Sequence, residues 1–142
     1  MSKMSRRLWI ARLLIGLVTA WNLQAAFVFI FSPGRFVHAY ELSGAAGEAA
    51  IRGVGLLFLM WTVPYFFALK DPIRYQLSLT IALLMQSIGL IGESYILSTL
   101  TPDHLILKGS ILRFITFDGA GLLMLGISYL LVRNKKPLGS IL

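Results

Sequence analysis

Hydrophobic positions along this chain gather into four long blocks, at about 8–31, 50–69, 76–97 and 111–132. Each is close to the ~20 residues that carry an α-helix across ~30 Å of hydrocarbon. The pattern predicts an all-α fold, a bundle of four transmembrane helices forming a single integral membrane domain over residues 1–142. Breaker residues bound most of the blocks: "SPGR" from Ser32, "KDPIR" from Lys70, and "TPDH" from Thr101 with "KGS" from Lys108. Pro64, in "MWTVPYFF", lies inside the second block and predicts a kink there, which membrane helices tolerate better than soluble ones. The stretch "ELSGAAGEAAIRGVG" from Glu41 is rich in Gly and Ala; it either begins the second helix early or forms a short helix lying on the surface before Arg52.

The opening "MSKMSRRLWIARLLIGLVTAWNLQAAF" has the basic start and apolar run of a signal peptide, and cleavage near Ala25 would leave three helices. The apolar run resumes as "AAFVFIF", however, giving a span of about 24 residues where a signal core has about 7 to 15. A retained first helix is the expectation.

Composition agrees with the pattern: of 142 residues, 57% are hydrophobic and 13% charged, with a mean hydropathy of +0.78, far from the balance of a soluble domain. The net charge of +7 is distributed unevenly. Lys3, Arg6, Arg7, Arg12, Lys70, Arg74, Arg133, Lys135 and Lys136 fall on one side of the predicted bundle, and Arg35, Arg52, Lys108 and Arg113 on the other. Because positive loops are retained in the cytoplasm, both termini are expected to be cytoplasmic in a multi-pass membrane protein. A basic rim also attracts anionic headgroups. Nucleic acid is not an expected partner, since these charges lie in short segments with no soluble domain to organise them.

Cysteine is absent, which excludes disulfide exchange, thiolate nucleophiles and thiolate metal sites. The two histidines, His38 and His104, fall in predicted connections, so one chain cannot sandwich a haem between helices; no metal site is expected. "FDGAGLLMLG" from Phe117 sits within an apolar block, with neither a preceding strand nor a phosphate-binding lysine, and reads as a close-packing surface rather than a nucleotide loop. Trp9, Tyr40, Tyr75 and Tyr129 lie near the predicted interfaces, whereas Trp21 and Trp61 are deeper and are expected in the core.

Polar residues inside the blocks carry the candidate chemistry. With the N-terminus inside, Gln86 falls near the midplane and Glu93, seven residues on, about 10 Å further out. Arg52, Arg113 and Asp118 reach comparable depth from the second and fourth helices, and Asn22 and Gln24 from the first. An isolated charge in the bilayer costs ~2.5–3.5 kcal/mol on insertion scales, so such groups turn inward and pair. The expectation is an outer-half cluster in which Arg52 and Arg113 satisfy Glu93 and Asp118, with Gln86, Asn22 and Gln24 extending the network and Gly89 letting a helix come close. The alternative is a local pair of Glu48 with Arg52, four residues apart, which leaves Glu93 to Arg113.

The four-helix layout, the "SPGR" break, "AIRGVGLLFLMWTVPYFFALKDP" through the second helix and "RFITFDGAGLLML" in the fourth resemble the DoxX-like group of small bacterial membrane proteins. The resemblance covers most of the chain in layout. It implies a protein of the bacterial inner (plasma) membrane in an accessory or quinone-proximal role, since some members are small subunits associated with quinone-linked oxidoreductases. It transfers no catalytic residue, and the residues themselves supply no triad, metal set or cofactor motif for an enzyme. The expected function is therefore an accessory or assembly subunit of a larger membrane complex, or one that self-associates. The alternative is a binder or carrier of a small amphipathic molecule, a lipid headgroup or quinone, at the polar cluster.

Overall fold

A computed structural model describes residues 3–133 of the chain; the basic Lys135 and Lys136 lie outside the described residues. Four helices make up the fold: α1 (Lys3–Phe31), α2 (Gly44–Lys70), α3 (Gln76–Thr99) and α4 (Leu105–Val132). All four are long and apolar enough to cross a membrane. Residues 44–49 and 105–110 are helical, so α2 and α4 each begin about one and a half turns before the apolar blocks that announced them. The Gly- and Ala-rich stretch thus opens α2 itself instead of forming a separate surface helix, and α2 stays helical through Pro64.

Each helix turns one stripe inward. On α1 the fully buried positions Ala11, Ile15, Val18, Asn22, Ala26 and Phe29 follow steps of three and four, the spacing that keeps one face of a helix toward its neighbours. Trp21 and Trp61 fall one position off the buried stripes of α1 and α2, and they are 44% and 36% exposed. This corrects the expectation that they belong to the core. Depth along a helix does not bury a ring that points away from its neighbours.

Two apolar clusters occupy the two ends of the bundle. Ala11, Ile15, Val18, Ala68, Leu79, Leu125 and Val132 fill the end where the described chain starts and finishes. Ala26, Phe29, Val37, Ile51 and Phe58 fill the other end, beneath the connection between α1 and α2. Between them Asn22, Gln86 and Asp118 form a buried polar layer.

The connections are anchored by specific bonds. At the chain-terminus end, Asp71 Oδ1 accepts from the backbone N–H groups of Ile73 and Arg74 at 3.1 and 3.0 Å, closing the short turn between α2 and α3. Arg12 of α1 donates to the carbonyl of Lys70 at the end of α2 (2.8 Å), where a cation also meets the negative end of the helix dipole. Gln76 of α3 likewise donates to the carbonyl of Arg133 after α4 (3.2 Å).

At the opposite end, residues 32–43 form a strap of two 3-10 turns, Pro33–Arg35 and His38–Tyr40. Glu41 follows in the left-handed region at φ 55°, a conformation that costs a side-chain-bearing residue roughly 1–2 kcal/mol. Its carboxylate bonds His104 and accepts from the N–H of Leu107 (3.3 Å) at the start of α4. The Ser110 hydroxyl adds a second anchor by donating to the carbonyl of Ala39 (2.5 Å).

Candidate binding pocket

The residues singled out in sequence separate into three places. Gln86 and Asp118 come together in the polar layer. The Gln86 amide Nε2 donates to Asp118 Oδ1 at 2.9 Å and lies 3.3 Å from the Asp118 carbonyl, while its Oε1 accepts from the Tyr65 hydroxyl at 2.5 Å. Asn22 of α1 is buried beside the Tyr65 oxygen, and its Nδ2 has no hydrogen-bond partner. Each helix therefore supplies one polar group to the layer, in the order Asn22, Tyr65, Gln86, Asp118. Small residues admit these side chains. A Cβ added at Gly121 would stand 2.6 Å from Gln86 Nε2, and one at Gly89 would strike the Asp118 carboxylate.

The ionic network expected around this layer does not form. Arg52 pairs at 3.1 Å with Glu48, four residues before it, and both side chains are substantially exposed. The other ion pair among the described residues joins His104 to Glu41. Arg52 stands next to buried Ile51, off the inward stripe of α2, so it points away from the bundle and takes the acid one turn back. Arg113 donates to Ser110 Oγ (2.8 Å) and turns toward α1, whereas Glu93 lies half-buried on α3. Among the described residues, neither Glu93 nor Asp118 is in an ion pair.

Arg113 and Gln24 belong to a third place, a cavity of about 480 Å³ between α1, α2, α4 and the strap. Its walls are mostly aromatic. Phe29 packs its ring 4.7 Å from Phe36, 6.1 Å from Phe58 and 6.2 Å from Phe114, while Phe58 and Phe114 stack at 5.8 Å. Trp21 and Phe117 meet at 5.5 Å on another side. Polar groups from Arg35, Tyr40, Arg113 and Gln24 complete the lining. Burial first, and the charge of Glu93 second, push the Tyr40 phenol well above its ordinary pKa, while Arg113 pulls the other way. Tyr40 therefore presents a neutral hydroxyl.

Sequence reasoning missed Tyr65, Arg35 and Tyr40. Arg35 entered only as a count in the charge asymmetry, although its place in "SPGR" directly after a helix end was a usable signal. The spacing of Phe114 and Phe117, three residues apart in "RFITF", was another. Comparison with known proteins adds no relative: no family model, no curated protein and no solved structure matches this chain.

Proposed function

We propose that this chain spans the bacterial inner membrane with both termini in the cytoplasm, and that it binds a small amphipathic molecule in the cavity beneath the strap. The carrying observation is the cavity itself: about 480 Å³, walled by aromatic rings and bearing a few polar groups. That is the size and chemistry of a small-molecule site, for which ~300–1,000 Å³ is usual. The four apolar helices support the membrane placement. The excess of Lys and Arg toward the termini supports the orientation, which sets the strap and cavity in the outer leaflet.

A role as accessory or assembly subunit in the DoxX-like manner rests on the resemblance in layout, and a quinone fits it as a candidate occupant. Purification from native membranes in a mild detergent, followed by mass spectrometry of retained proteins and small molecules, separates the two roles. Binding predicts one retained amphipathic molecule that is lost when Phe114→Asp puts a charge into the wall. Recovery with stoichiometric larger subunits and an empty cavity would overturn binding and leave the accessory role.

A further inference from the structure

We infer that the cavity takes an amphipathic anion, a compact molecule with one carboxylate or phosphate head held by Arg35 and Arg113 and one apolar body against the aromatic wall. This deepens the binding reading above and rests on it.

Charge decides the head. Two arginines, Arg35 and Arg113, are among the residues lining the cavity and no acidic residue is. The described ion pairs engage Arg52 with Glu48 and His104 with Glu41, so neither lining arginine is spent on an internal acid. Asp118 is bonded to Gln86 in the polar layer, and Glu93 is not part of the lining. Guanidinium matches carboxylate and phosphate through paired N–H donors. The neutral Tyr40 hydroxyl and the Gln24 amide offer further donors in the same lining. Aromatic faces alone would also suit a cationic ligand, but two arginines in the lining disfavour one.

Geometry decides the body. Arg35 and Tyr40 belong to the strap, and Arg113 lies two turns into α4, so the positive groups stand at the strap end. Trp21 and Phe117 mark the opposite end, nearer the polar layer. Trp21 is exposed on the outer surface of the bundle, so the cavity has an edge on the side from which a membrane-dissolved molecule would enter. A whole two-chain phospholipid exceeds about 480 Å³, whereas a single-tailed or ring-bearing acid fits it.

The test uses the full chain in nanodiscs of zwitterionic lipid and four probes with one eight-carbon tail: octanoate, octyl phosphate, octanol and octyltrimethylammonium. Trp21 fluorescence reports occupancy, with Trp21→Phe as the blank. Octanoate and octyl phosphate are expected to bind roughly ten- to a hundredfold more tightly than the other two, the worth of a hydrogen bond to a charged group. Arg35→Gln with Arg113→Gln should erase that preference, and Lys at both positions should retain part of it. Equal binding of all four probes, still abolished by Phe114→Asp, would overturn the anion inference and leave the cavity as a binding site. No response to any probe would overturn both. Loss of octyl phosphate binding in nanodiscs containing phosphatidylglycerol would overturn the compact occupant in favour of a bilayer lipid. Should the glutamine variants not fold, the ranking of the four probes on the unaltered chain decides alone.

Discussion

Gln86 donates to Asp118 on the facing helix, and the two side chains pack reciprocally into each other's helices. The Gln86 amide lies 2.9 Å from Asp118 Oδ1, and each side chain occupies the space left by a glycine opposite, Gln86 over Gly121 and Asp118 over Gly89. Each glycine follows, three residues later, the polar residue on its own helix, so "QSIG" on α3 and "DGAG" on α4 mesh as antiparallel copies of one device. Small residues and polar contacts are what hold helices together where lipid supplies no hydrophobic drive.

Filling that space should therefore loosen the bundle. In Gly121→Ala the added methyl, 2.6 Å from Gln86 Nε2, displaces the amide from Asp118, at a cost of roughly 1–3 kcal/mol. Gly126→Ala, one and a half turns further on and with open space around it, serves as the matched control and should be neutral or slightly stabilising. Thermal loss of helicity in detergent measures both. Equal melting of the two variants would refute the packing account.

The polar layer should tolerate a change of charge better than a loss of acceptor. Asp118→Asn keeps an oxygen for the Gln86 amide and is expected to melt close to the parent chain. Gln86→Leu strips partners from Tyr65 and Asp118 together and should cost roughly 1–3 kcal/mol for the polar groups left unsatisfied. A Gln86→Leu protein as stable as the Asp118→Asn protein would mean that the layer contributes nothing to stability.

The Glu48–Arg52 pair should matter little. It is exposed and local, and such pairs contribute about 0.3–0.5 kcal/mol. Arg52→Ala is expected to leave melting and probe binding nearly unchanged. A strong defect would restore the pairing of Arg52 with an acid deeper in the bundle.

Acid should release the strap. Hydrogen bonding to His104, above all, and to the Leu107 N–H holds the Glu41 carboxyl below its ordinary value of 4.5. A carboxyl depressed in the folded state contributes stability that is present above the unfolded value and disappears as pH falls through the folded one. The strap should thus be fastened above about pH 4.5 and loosen below it. Amide protection factors in residues 36–42, the observed exchange referred to the intrinsic rate at each pH, should fall in that acidic window, and Glu41→Gln should show the lower protection already at neutral pH. Protection that does not change with pH in the parent chain would show that the contact does not hold the strap.

The four helices were legible because a membrane-length apolar block is a strong, local signal, and the inward position of Gln86 and Asp118 followed from the cost of exposing them. The partners were not legible. Periodicity tells which face a residue shares with its own helix, but the rotation of α4 against α1 and α3 decides whether Arg113 meets Glu93 or turns to the cavity. Arg52 is the exception: its local pair with Glu48, four residues before it, was readable from spacing as the alternative and is the one that forms. The cavity was harder still. It is built from the strap, two aromatic runs on different helices and an arginine whose sequence context marks only a helix end.

The polar layer is shared between two hairpins, Asn22 and Tyr65 on α1 and α2, Gln86 and Asp118 on α3 and α4. Tyr65 leaves the ribosome 21 residues ahead of its acceptor Gln86, roughly one to four seconds at ~5–20 residues per second. During that interval the first hairpin carries a tyrosine hydroxyl whose acceptor has yet to be made. Arrival of the second hairpin relieves the Tyr65 hydroxyl, so birth order itself favours joining the halves of one polypeptide over recruiting a stranger.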